Sequence, residues 1–209
     1  MSRNLVLAII LLIASSFFWS GNFFSGKIAF LSDLSPFKLS FFRWILALLI
    51  LLPFTYAQII RDLEYYKKNI LLMTIISILG VTIFNSFTYI SLQTTMVINS
   101  TLMASVAPVM MIGFSWLIFR TKTTTLQFTG IVLSLLGALA IVLKGDLNNL
   151  YNLYFTAGDL WMLGAVVSWC LYSVLLKKID SKTSQLANLE VMIIIGVIFI
   201  IPFYIMESF

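Results

Sequence analysis

The chain has 209 residues, of which 61% are hydrophobic and only 10% charged, and its mean hydropathy is +1.05. Soluble domains run roughly 45–50% apolar and about 25% charged, so this composition describes an integral membrane protein. With no histidine and a single cysteine, disulfide frameworks, histidine-containing metal sites and Ser-His or Cys-His catalysis are excluded, and neither a catalytic residue nor a metal or other cofactor is expected.

The first apolar run starts at Leu5 and continues through aromatic residues to Ala29, enough for the roughly 20 residues that cross a hydrocarbon core. Arg3 and the small residues Ala14 to Ser16 also suit a cleaved signal peptide, but the apolar sequence runs straight past them, so a retained spanning helix is expected. Six further spans follow: Pro36 to Tyr56, Asn69 to Leu92, Met96 to Phe119, Leu126 to Leu143, Gly158 to Leu176 and Leu186 to Met206. All are expected to be helices, because a backbone in lipid must satisfy its own hydrogen bonds and these runs are too long and unalternating for barrel strands.

A cytoplasmic N-terminus would place Arg3, then Arg61, Lys67 and Lys68, then Arg120 and Lys122, then Lys177, Lys178 and Lys182 on the inner side. Lys144 would lie in an outer connection, with Lys27 and Lys38 near outer helix ends. This positive-inside pattern accounts for the net charge of +5. The basic residues are scattered over separate short loops, which is not how a nucleic-acid partner is held. The expected surroundings are a lipid bilayer, with the bacterial inner membrane as the expected location.

Each span carries a few polar or aromatic residues that need a reason. In the first, Trp19, Asn22 and Gly26 share a stripe beside Gly21 and Ser25; this face either admits a neighbouring helix, with Asn22 bonding across it, or borders a cavity. Arg43, one to two turns inside the second span, costs about 2.5–3.5 kcal/mol at mid-membrane. It either snorkels outward to helix-end carbonyls or attracts an anionic group of a substrate.

On the third span Asn85 and Tyr89 stand one turn apart, and on the fourth Asn99 and Met103 share a face with Val106 and Met110. These pairs suit either interhelical bonding or contact with a polar metabolite. Pro108 is expected to kink the fourth span by removing a backbone bond. Cys170 is expected to be a small buried hydrophobe. Glu190, near the cytoplasmic end of the last span, is expected to be solvated at the interface, which leaves proton coupling little support.

Sliding the chain by 150 residues lays "FFWSGNFFSGK" over "VSWCLYSVLLK", pairing Trp19 with Trp169 and Lys27 with Lys177. A five-helix unit is odd in number, so a second copy starts from the opposite side of the membrane, the inverted arrangement that suits alternating access.

The strings "FWSGNFFSGKIA", "SPFKLSFFRWILALLILLP", "ISILGVTIFNSFTYISLQTTMVINSTLMASVAPVMMIGFSWLIF" and "LQFTGIVLSLLGALAIVL" resemble the EamA family of the drug/metabolite transporter superfamily. The resemblance rests on the order of many weak motifs: a Trp-Gly-x-Asn-Phe-like end to the first helix, an Arg after a Ser-Pro-like start in the second, and a Tyr-x-x-Leu-x-x-Thr-like close to the third. A Pro in the fourth and paired glycines in the fifth complete it. Ser20 stands where a Gly is usual, and "FRTKTTTLQ" where a Gly-Glu pair is common.

The resemblance implies an all-α membrane fold of ten helices in two inverted five-helix units. Here residues 1–145 would form the first unit and residues 146–209 the first two helices of the second, giving seven helices of the expected ten and suggesting a fragment. It also implies a secondary transporter of small organic metabolites or drugs, working by export through alternating access. Trp19, Asn22, Arg43, Asn85, Tyr89, Asn99, Met103 and Trp169 are the candidate pathway residues. The alternative is a non-transporting helix-bundle partner or assembly factor. A homodimer completing the cavity is a third possibility.

Overall fold

A computed structural model describes residues 3–143 and 156–208. Lys144 and the expected boundary between residues 145 and 146 lie outside the described residues. Helices α1 (Arg3–Leu31) and α2 (Pro36–Arg61) form the first two spans, and a short α3 (Leu63–Lys68) follows. Pro36 opens α2, where its fixed φ and missing N–H cost nothing.

The third span is composite: α4 (Ile70–Ser77), a π-helical turn over Ile78–Ile83, and α5 (Phe84–Thr94). The fourth divides into α6 (Val97–Ala104) and α7 (Ala107–Phe119), and then come α8 (Thr125–Val142), α9 (Ala157–Leu175) and α10 (Gln185–Ser208). No strand occurs among the described residues. The chain is a multi-pass membrane protein: six described segments are long and apolar enough to cross a bilayer. The expected Leu126–Leu143 span falls on α8, whose 18 residues rise about 27 Å, near the lower limit for a crossing.

The third span is the spine of the bundle. Its first half, with Met73 and Ile76, packs with Tyr66 of α3 and Val81 of the π turn against Met192, Ile193, Val197 and Ile200 of α10. Its second half, with Phe84, Tyr89 and Leu92, packs against Phe23 of α1, Ala107 of α7 and Met162, Val166 and Cys170 of α9. Cys170 is fully buried, as its apolar surroundings in the sequence imply. The outer faces of α1 and α2 expose Phe17, Phe18, Leu46 and Leu49, the surface a lipid solvent requires.

The π turn sits where these two cores meet. Its carbonyls are taken up by side chains: Ser168 of α9 donates to the Leu79 carbonyl (2.7 Å) and Asn85 to the Gly80 carbonyl (3.2 Å). Thr82 donates to the Gly196 carbonyl of α10 at 2.9 Å. This approach requires glycine, because a Cβ at Gly196 would run into Val81 and one at Gly80 into Tyr172.

The expectation for Glu190 is corrected, and Pro108 has a definite place: it occupies the first turn of α7, and the fourth span breaks just before it, at Ser105 and Val106, between α6 and α7. Proline is tolerated in a first turn, so the break settles one turn upstream of the residue that imposes it. Glu190 is not solvated at an interface; it is 0% exposed. It lies little more than one turn from the start of α10 at Gln185, but α10 is already packed there on its neighbours, so helix packing rather than sequence distance decides access to water.

Replacing Gly196 by Ala is expected to lower thermal stability in detergent by about 1–3 kcal/mol, the usual cost of overpacking. Gly113→Ala, where a Cβ meets nothing within 4 Å, serves as the control and is expected to leave the melting temperature unchanged or raised.

Candidate functional site

Arg43 projects from α2 toward α1 and α5, and three oxygens converge on it. Its Nη1 donates to Asn22 Oδ1 at 2.8 Å, Asn85 Oδ1 at 2.7 Å and the Tyr89 hydroxyl at 2.5 Å. Tyr89 in turn donates to Asn22 Oδ1 at 2.8 Å. Asn85 and Tyr89 reach Arg43 together because a one-turn spacing puts both on one face of α5. The amide of Asn85 is oriented by its bond to the Gly80 carbonyl, which leaves its oxygen for the guanidinium.

A guanidinium has five N–H donors and no acceptor. The cluster engages Nη1 alone, and no protein group among the described residues accepts from Nε or Nη2. Nor does any carboxylate form an ion pair with Arg43 among the described residues. Arg43, Asn22 and Tyr89 line an open cavity of about 540 Å³ together with Ser20, Ser25 and Leu39. The chemical result is a guanidinium with donors to spare in the lining of a largely apolar cavity, a group suited to two oxygens of one carboxylate or phosphate.

An aromatic wall adjoins this cluster. Trp19 and Trp169 have ring centroids 5.6 Å apart, and Phe84 lies 6.3 Å from the first and 4.6 Å from the second. The two tryptophans matched by the 150-residue shift therefore meet in space. Asn22, Arg43, Asn85 and Tyr89 are thus directly bonded, with Trp19 and Trp169 beside them.

The fourth-span candidates are not part of this assembly. Met103 packs on the core around Phe23 and Phe84, while Asn99 makes no hydrogen bond to the cluster among the described residues. Pro108 borders a separate cavity near Lys122 and Lys177. Among the described residues no group of three metal-ligating side chains occurs.

Toward the other ends of α1 and α5, Lys27 donates to the Leu92 and Thr95 carbonyls at 2.7 and 3.3 Å, closing the end of α5. Next to it, Asp159 at the start of α9 accepts from Thr95 Oγ1 at 2.6 Å and from the Thr156 backbone N–H at 2.6 Å. Sequence reasoning passed over Asp159, although its place three residues after Thr156 follows the capping-box spacing. Gly158 lets this helix end approach, since a Cβ there would meet the Ser91 carbonyl at 2.5 Å.

Comparison with known proteins agrees with this architecture. The EamA-like transporter family matches residues 6–143. An "Uncharacterized transporter" of Archaeoglobus fulgidus is 28% identical over 99% of this chain and 68% of its own length. "Uncharacterized transporter YyaM" of Bacillus subtilis is 26% identical over 65% of this chain and 44% of its own length, and "Uncharacterized transporter YetK" of the same organism is 25% identical over 68% and 43%. The chain thus spans about two thirds of the archaeal relative and less than half of the Bacillus ones. No solved structure matches it.

Removing one acceptor tests the cluster's energetics. Asn85→Leu leaves both the Gly80 carbonyl and part of the guanidinium unpartnered, and is expected to cost about 1–3 kcal/mol of stability. Tyr89→Phe removes a single hydroxyl and is expected to cost about 1 kcal/mol. Both are read from thermal unfolding in detergent, where equal and negligible losses would contradict the bonding described.

Proposed function

The chain belongs to the EamA-like transporter family, and from that premise we propose that it carries small organic molecules bearing a carboxylate or similar anionic group, held at Arg43. The observation that carries this reading is Arg43 lining a cavity with its Nε and Nη2 hydrogens unclaimed and no carboxylate paired with it among the described residues, its guanidinium lying 5.1 Å from the centre of the Trp44 ring. A cation without a carboxylate partner is expensive within a membrane span, and a substrate anion would offset that cost at the moment of binding. Asn22, Asn85 and Tyr89 hold the guanidinium still, so its fork is aimed before substrate arrives. Trp19 and Trp169 offer an apolar wall for the rest of the molecule.

In this reading residues 1–145 form one five-helix unit and residues 146–209 begin a second, inverted one, with substrate moving outward as the units rock about the cavity. In the same reading the N-terminus is cytoplasmic, which the distribution of basic residues supports, and the membrane is a bacterial inner membrane. The Trp19–Trp169 contact supports this arrangement, since it brings the corresponding helices of the two units together beside the cavity. The chemistry is binding and release, with no bond made or broken in the cargo.

Proteoliposomes containing the protein, loaded in turn with labelled amino acids and small organic acids, test this directly. Arg43→Gln is expected to weaken the response to carboxylate-bearing compounds about 10- to 100-fold, the worth of charge-assisted hydrogen bonds. Flux that is unchanged in Arg43→Gln, or absent for every compound in a properly folded sample, would point instead to a helix-packing role for the cluster.

A further inference from the structure

Glu190 stands apart from the Arg43 site, in the second core of the molecule, and nothing in the transport reading uses it. Its side chain is 0% exposed, and neither carboxylate oxygen has a hydrogen-bond partner among the described residues. A buried polar atom without a partner calls for an explanation, and here both acceptors of one group are orphaned. As a packing residue a glutamate is a poor choice, because its ionised form is heavily penalised by burial and gains nothing in return. As a carboxylic acid the same residue is neutral and becomes a donor.

Glu190 sits in the helix that packs along α2. The antiparallel register of α2 and α10 is set by the Phe37 N–H donating to Glu207 Oε2 at 3.0 Å and by the Phe41 and Tyr204 rings stacked with centroids 4.4 Å apart. Continued along both helices, that register brings Glu190 level with Phe54 and Thr55 of α2. Both oxygens of Glu190 lack a donor, so the buried group is short of a proton. We propose that Glu190 is a proton-binding site of the α2–α10 interface, protonated when these helices are packed together and able to release its proton to water when they part.

The charged groups around it leave that role open. α4 and the π turn carry no titratable residue. On α2, Lys38 and Arg43 belong to the opposite half of the helix, Tyr56 is 62% exposed, and Arg61 is exposed and paired with Asp62 at 2.8 Å. From α3, burial pushes the Tyr66 hydroxyl up to about 12, so it stays protonated and donates to Asn188 Oδ1 at 2.9 Å. Tyr172 of α9 packs against the same core. Glu64, Lys67 and Lys68 of α3 and Lys177 and Lys178 after α9 complete the charged groups on the packed elements, and among the described residues none forms an ion pair with Glu190.

A cavity opens beside another face of α10. Asn188, Leu189 and Met192, next to Glu190 on α10, line a cavity of about 580 Å³ with Asp180 and Thr183 of the preceding connection. Asn188 Nδ2 donates to Thr183 Oγ1, which donates to the Asp180 carbonyl. The balance is one proton leaving the carboxyl group for water, with no other reactant. The site is independent of what the Arg43 cavity carries.

The test is infrared spectroscopy of the full chain in lipid bilayers at neutral pH, in wild type and Glu190→Gln. The wild type is expected to show the C=O stretch of a protonated carboxyl group, shifted by carbon-13 labelling of glutamate and missing from the variant. The isotope shift identifies a protonated glutamate in unmutated protein, so the test survives if the variant folds poorly. Wild-type protein without a glutamate-sensitive protonated carboxyl band, or a band that persists in folded Glu190→Gln, would overturn the proposal.

Discussion

A guanidinium set among apolar helices has to find oxygen, and in this protein it finds it in amides and a phenol rather than in a carboxylate. Arg43 draws Asn22 from α1 and Asn85 and Tyr89 from α5 to a single nitrogen. Without that bonding, three helices in lipid would have little reason to adopt one mutual rotation, since apolar side chains pack about as well against lipid tails as against each other. The polar cluster therefore sets the relative rotation of α1, α2 and α5, and the aromatic contacts of Trp19 with Phe84 and Trp169 follow from it.

The π turn is the second half of that constraint. A helix that accommodates one extra residue per turn rotates the faces that follow it, so α4 can face α10 while α5 turns Asn85 and Tyr89 toward Arg43. The carbonyls of the turn stay satisfied because Ser168 and Asn85 reach them, and glycines at 80 and 196 give room to the neighbouring helices. One side chain, Asn85, thus serves both the irregular backbone and the binding cluster. A change there is felt in both places.

Two ionisable residues within spans, Arg43 and Glu190, stand in different halves of the molecule. Arg43 is exposed to a cavity, with part of its fork unengaged, while Glu190 is sealed in the α2–α10 core. They share α2, which contacts both α5 and α10. A movement of α10 along α2 would alter the surroundings of Glu190, and a movement of α1 would open or close the Arg43 edge. The helix common to both sites gives a physical link between them.

Composition alone determined that the chain is helical and membrane-spanning, because a run of some 20 apolar residues has no other way to satisfy its backbone in lipid. Motif order was enough to place it with the EamA family, and a one-turn spacing was enough to pair Asn85 with Tyr89. The echo of Trp19 at Trp169 was also legible, though not that the two rings meet. What only the tertiary structure decided was which polar groups face each other across helices. Arg43 was expected to seek helix-end carbonyls or a substrate; that it also binds side chains of two other helices was not legible. Glu190 was expected to reach water and is buried. Periodicity records which face of a helix is polar, but the rotation of that helix against its neighbours is a property of packing, and a single Gly-to-Val contact such as that between α10 and the π turn is invisible along one strand of sequence.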